Sequence, residues 1–153
     1  MEKYKLYILD DNDIQRTRLQ ELLNNEYDIV GVSNDGLEGY EAICNAMPHL
    51  ILTDIVLQNY DGFELLEKLN TNKEIIKPKI VVLSSLKGED FAQKAIDLGA
   101  SYYMVKPTAD EVLIKRLKSI MQEVENFEEP KNNECVICEN TAKFVEKFEQ
   151  FLK

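Results

Sequence analysis

The sequence predicts an α/β protein: a doubly wound, five-stranded parallel sheet followed by a C-terminal helical appendage. Three observations carry that expectation. Five short apolar runs alternate with five stretches of helical patterning, which implies parallel strands joined by crossover helices. Four of the five runs end in a reactive polar residue: Asp10-Asp11, Asp54, Ser84 and Lys106. After about residue 125 an acidic, polar linker leads into a separate amphipathic stripe.

Each element follows from local signals. Lys5 to Leu9 reads as the first strand and stops at Asp10-Asp11-Asn12-Asp13, where Asn12 or Asp13 can cap a helix. That helix runs to about Asn25, with Ile14, Leu19, Leu22 and Leu23 assigned to its apolar side. Tyr27 to Val32 is the second strand. Asp35 and Glu38 suggest a capping box for a helix over Gly36 to Ala46, which ends before Pro48. Leu50 to Thr53 is the third strand, Asp54 to Tyr60 a loop, and Asp61-Gly62-Phe63-Glu64 opens the third helix, to about Leu69. Lys79 to Leu83 is the fourth strand. Glu89 to Leu98 is the fourth helix, closed by Gly99. Ser101 to Val105 is the fifth strand, and Thr108 to Glu111 caps a fifth helix to about Glu125.

Composition narrows the function. The chain has 153 residues, 44% hydrophobic and 30% charged, with a net charge of -10. Such an acidic chain is not expected to contact nucleic acid directly, because phosphate binding needs clustered Lys and Arg. No run approaches the ~20 apolar residues of a membrane span, no signal peptide is evident, and three split cysteines make no disulfide framework. The expectation is a cytoplasmic protein.

In a doubly wound sheet, ligands sit outside the carboxyl ends of the strands. Asp10, Asp11, Asp54, Ser84 and Lys106 are therefore expected on one edge. Close carboxylates repel one another unless a cation compensates them, and oxygen donors without Cys or His suit Mg²⁺ rather than Zn²⁺. Lys106 and Ser84 then suit a phosphate. An Asp carboxylate can itself act as nucleophile and form an aspartyl phosphate, so Asp54 is the candidate acceptor.

These motifs resemble the receiver domain of two-component response regulators: the acidic pair Asp10-Asp11, Asp54 after the third strand, Asp61-Gly62, Ser84, and Lys106-Pro107. The resemblance covers about Met1 to Glu125 and implies the flavodoxin-like strand order 2-1-3-4-5. It implies that Asp54 accepts phosphate from a phosphohistidine on a sensor histidine kinase or phosphotransfer protein. Asp11, Asp54 and the carbonyl of Val56 would bind Mg²⁺, with Asp10 acting mainly through water. Ser84 and Lys106 would hold the phosphoryl group, and Ser84 with Tyr103 would form the switch that alters the face of the fourth helix, fifth strand and fifth helix. Beyond transfer onto its own Asp54 and autodephosphorylation, no enzyme activity is expected. More narrowly, Met1-Glu2-Lys3, Asp10-Asp11-Asn12 and Asp97-Leu98-Gly99-Ala100-Ser101-Tyr102-Tyr103 resemble the receiver half of sporulation-initiation regulators, which suggests a role in sporulation control. Two positions depart from the common family pattern. Leu57-Gln58 stands where Met-Pro is frequent, and Thr108 where Phe is frequent.

Residues 126–153 read as a linker and an amphipathic helix. Phe144, Val145, Phe148, Phe151 and Leu152 form its apolar stripe, and Phe144, Phe148 and Phe151 are candidate partner-binding residues. Such a helix is marginal alone; it would bury this stripe on its own receiver, on a second copy as a homodimer, or on a partner. Bland readings stand beside these: Asp10-Asp11 as a solvated strand end or helix cap, Tyr103 as a packed strand tyrosine, Cys44 as core, Cys135 and Cys138 as ordinary cysteines. A DNA-binding output domain is not expected, so the signal would pass to a downstream protein partner. The function expected is a phosphorylatable switch acting through protein contacts. The alternatives are a phosphate relay or sink, and a phosphorylation-independent module working through its C-terminal helix.

Overall fold

The computed structural model describes residues 3–126. The candidate residues Phe144, Phe148 and Phe151, with Cys135 and Cys138, lie outside them. The described residues up to 118 form one compact unit.

The elements run β1 (Tyr4–Leu9), α1 (Asp13–Leu23), β2 (Tyr27–Ser33), α2 (Gly36–Ala46), β3 (Leu50–Thr53), α3 (Gly62–Thr71), β4 (Lys79–Ser84), α4 (Glu89–Asp97), β5 (Tyr102–Val105) and α5 (Asp110–Asn126). Every strand pairing is parallel, and the sheet order is β2-β1-β3-β4-β5, as expected. No helix among the described residues is long and apolar enough to cross a membrane.

The strands are apolar on both faces because both faces are covered. Tyr7, Leu9, Ile51 and Val82 join Ile43 of α2 and Leu65, Leu66 and Leu69 of α3 in one buried cluster. Their alternates Leu6, Ile8, Leu50, Leu52 and Val81 are equally buried, as the two-residue period of a strand directs them to the other face. α1 adjoins β1 and β2, where its Leu19 and Leu23 are buried.

Two local readings are corrected. Ile14 does not share the apolar side of α1 and is 79% exposed. It precedes Leu23 by nine positions, about half a turn out of phase at ~100° per residue. The capping box of α2 is only half formed. Asp35 Oδ1 accepts from the backbone N–H of Leu37 and Glu38 at 2.8 and 3.0 Å. Glu38 Oε1 meets the Ser33 hydroxyl at 3.4 Å, and the Asp35 N–H donates to that hydroxyl at 3.0 Å. Ser33 thus takes the second half of the cap. Cys44, expected in the core, is half-buried, with its sulfur 3.6 Å from Asn72 Nδ2.

Candidate functional site

Strand register assembles the site. Leu9 pairs with Thr53 and with Ser33, and Ser84 with Val105. The ladder continues past the strand ends: Asp10 N–H donates to the Ser33 carbonyl at 3.1 Å, Asp54 N–H to the Leu9 carbonyl at 3.0 Å, and Lys106 N–H to the Ser84 carbonyl at 2.8 Å. The residue after each strand is therefore held by main-chain bonds on one edge of the sheet.

The side chains meet there. Lys106 Nζ lies 2.9 Å from Asp10 Oδ2 and 2.8 Å from Asp54 Oδ2. Asp10 is 2% and Asp54 6% exposed, so the two carboxylates need compensation, and Lys106 supplies it. Burial alone would pull the Lys106 ammonium down; hydrogen bonds to Asp54 and Asp10 and their charges outweigh it and leave it above the usual lysine value. Backbone donors finish the shell. Asp54 Oδ1 accepts from Ile55 N–H at 2.6 Å and Val56 N–H at 3.3 Å, and Asp10 Oδ1 from Asn12 N–H at 2.9 Å.

Asp11 does not join this pair. It is exposed, with Oδ1 at a long 3.5 Å from Gln58 Nε2. Among the described residues, no group of three or more His, Cys, Asp or Glu stands together as a metal site. The expectation that three carboxylates converge is thus corrected to two. Asp10 continues the strand and points inward, while its neighbour turns out to the rim. The donor set still has the chemistry of a hard cation site: carboxylates and main-chain carbonyls, with no thiol or imidazole among them. Mg²⁺ commonly takes only one or two carboxylates and fills its shell with water and phosphate oxygens.

Ser84 is fully buried, and its hydroxyl accepts from Leu86 N–H at 3.2 Å. Tyr103 is half-buried, and its hydroxyl donates to the Leu86 carbonyl at 2.7 Å. Burial is the main cause of its raised pKa, opposed by a hydrogen bond with Ser84 and assisted by the Asp54 charge. Ser84 and Tyr103 therefore share the β4–α4 loop at Leu86. Val56 is exposed at the rim. His49 lies away from this edge, accepting from Lys5 N–H at 2.9 Å through Nδ1.

Three supports have roles that the sequence did not assign. Arg16 donates to the Asp10 carbonyl at 2.7 Å and holds the acidic turn; its position one turn into α1 was the available signal. Gly62 donates to the Ile55 carbonyl at 2.7 Å, and a Cβ there would stand 2.6 Å from the Asp54 carbonyl oxygen. Only glycine lets α3 start so close to the acceptor. Asp35, Gln58 and Asn59 tie the loop after β3 to the start of α2, through contacts that no local pattern marks.

The response regulator receiver domain family model matches residues 6–118. The chain belongs to this family. The receiver is 38% identical to a protein-glutamate methylesterase/protein-glutamine glutaminase from Methanospirillum hungatei over 148 residues, covering 94% of this chain and 40% of that protein. It is similar in structure to the BeF3-activated receiver domain of RstA from Klebsiella pneumoniae: 30% identity, TM-score 0.68, covering 74% of this chain and 95% of that one. It shares the fold of a chain in the CheX-CheY-BeF3-Mg²⁺ complex from Borrelia burgdorferi, at 20% identity and TM-score 0.72, covering 78% and 90% of the two chains. None of these three carries the name of a sporulation regulator, and the narrower resemblance gains no support from them.

Proposed function

We propose that this receiver is a cytoplasmic phosphorylation switch that accepts a phosphoryl group on Asp54 from a phosphohistidine of a sensor histidine kinase or phosphotransfer protein. One observation carries the reading: a buried carboxylate at a strand end, held with Asp10 by the single ammonium of Lys106. A carboxylate oxygen of Asp54 forms the new P–O bond as the P–N bond to the donor imidazole breaks. Mg²⁺ would be held by Asp11, Asp54 and the carbonyl of Val56, with Asp10 through water, and would supply positive charge beside the transferring oxygens. Lys106 pairs with those same oxygens. The Ser84 hydroxyl exchanges the Leu86 N–H for the phosphoryl group, and Tyr103, sharing Leu86, follows it. The output face is the open groove of about 400 Å³ lined by Tyr103, Val105, Pro107 and Val112, where Val105 and Val112 are exposed. It offers apolar area to a downstream protein. In this reading the protein catalyses nothing beyond phosphorylation and dephosphorylation of its own Asp54.

The test is intact mass after incubation with acetyl phosphate, with and without Mg²⁺, on wild type and Asp54→Asn, with light scattering on the same samples. A single adduct that needs both Asp54 and Mg²⁺ is expected, and no adduct would sink the reading. A lasting adduct with a change in association marks a switch; rapid turnover with no change marks a relay or sink. An adduct-free protein that still associates marks a module working through residues 126–153.

A second reading rests on the methylesterase relative, whose match reaches well beyond residues 6–118. There the receiver gates protein-glutamate ester hydrolysis by a catalytic segment outside this sequence. It predicts that Asp54→Ala in cells changes ester turnover; unchanged turnover would exclude it.

A further inference from the structure

The loop that follows β3 is fastened at two places. At its base, Gly62 N–H donates to the Ile55 carbonyl at 2.7 Å. At its tip, Gln58 forms an isolated parallel bridge with Asp35: Gln58 N–H donates to the Asn34 carbonyl at 3.1 Å, and Gly36 N–H to the Gln58 carbonyl at 2.8 Å. Asn59 then takes a left-handed backbone, φ 61°, and its side-chain amide donates to Asp35 Oδ2. The approach is so close that a Cβ on Gly36 would stand 1.9 Å from the Tyr60 carbonyl oxygen. Asp35 serves two elements at once, with Oδ1 capping α2 and Oδ2 holding Asn59. Between the two fastenings lie Val56 and Leu57, and the Gln58 side chain reaches back toward Asp11.

We infer that the Asp35–Asn59 clasp, with the Gln58 bridge, is a positioning device that sets the Val56 carbonyl and the Asp11 carboxylate for a divalent cation at the acceptor site. The inference rests on the proposed function. Gln58 donates its backbone N–H to the Asn34 carbonyl, a bond that proline could not make, so hydrogen bonds rather than a ring restrain this loop.

Four variants of the full chain test it. Asn59→Gly keeps the left-handed backbone and removes the amide. Asp35→Ser keeps a good helix cap but is too short to hold Asn59. Asn59→Asp faces two carboxylates, and Asp35→Asn with Asn59→Asp reverses the pair while keeping a capping residue. Mg²⁺ affinity is measured by titration calorimetry, and loop opening by amide hydrogen exchange over residues 55–60. Asn59→Gly and Asp35→Ser are expected to bind Mg²⁺ about tenfold more weakly, in the range of lost outer-shell partners. Both should exchange the loop amides faster, and Asn59→Asp should be weakest. The reversed pair is expected to recover to within about threefold of wild type, a coupling that independent sites do not show. Faster exchange with Mg²⁺ affinity unchanged would overturn the inference and leave a merely structural tie. A reversed pair no better than the single variants would overturn it too. Wild type that binds no Mg²⁺ would instead remove the proposed function on which it stands.

Discussion

Replacing Lys106 by alanine leaves Asp10 and Asp54 facing each other without their shared cation. Their Oδ2 atoms each lie within 2.9 Å of Nζ, so they stand no more than about 6 Å apart. At an effective dielectric of about 20, that repulsion is roughly 3 kcal/mol. Breaking a buried pair by removing one partner gives a similar figure of ~3–5 kcal/mol. The Lys106 side chain is 20% exposed, which places the expected loss near the lower end, about 3 kcal/mol at pH 7.5. The assay is urea unfolding in low salt without divalent cations. The pH dependence is distinctive. In wild type the raised Lys106 pKa contributes stability that is complete below the unfolded lysine value of about 10.4 and is lost as pH rises through the folded value. Asp54→Asn should restore most of the loss in the Lys106→Ala background. A deficit below about 0.5 kcal/mol, or one independent of pH, would refute the argument.

Gly62→Ala should destabilise the protein by about 1–3 kcal/mol and slow phosphorylation, because its Cβ would stand 2.6 Å from both the Asp54 carbonyl oxygen and Ile55 Cα; normal stability in urea would contradict this. Tyr103→Phe removes the hydroxyl that donates to the Leu86 carbonyl at 2.7 Å. It should cost roughly 1 kcal/mol while leaving phosphorylation of Asp54 intact, as intact mass would show. Burial, and then Glu26 and Tyr4, push Tyr27 up to about 12. A phenol that resists ionisation when folded stabilises the fold below its unfolded value of about 10, and that stability is lost as pH rises toward 12. Ultraviolet titration of Tyr27→Phe should lack this late transition.

Much of the site was legible because parallel strands deliver their C-terminal residues to one edge whatever the helices do. Asp54, Lys106 and Ser84 needed only correct strand ends, and apolar runs mark those ends well. The difference between Asp10 and Asp11 was not legible. Adjacent residues point in opposite directions, and only the pairing of Leu9 fixes which one turns inward. Ile14 misled because an apolar residue in a first turn looks like part of a stripe until its phase against Leu23 is counted. The Ser33 substitution in the cap of α2, and the clasp from Asp35 to Gln58 and Asn59, join residues from different loops. No periodicity records such contacts, and a left-handed asparagine leaves no more trace than any polar loop residue.

The central claim is that Asp54 itself takes the phosphoryl group. Borohydride reduces an acyl phosphate but not a free carboxylate, so the protein treated with acetyl phosphate and Mg²⁺, then reduced and digested, reveals the acceptor by peptide mass spectrometry. The account predicts reduction at residue 54 alone, lost when Mg²⁺ is withheld. Reduction at Asp10 or Asp11, or phosphate found on His49 with residue 54 untouched, would contradict it.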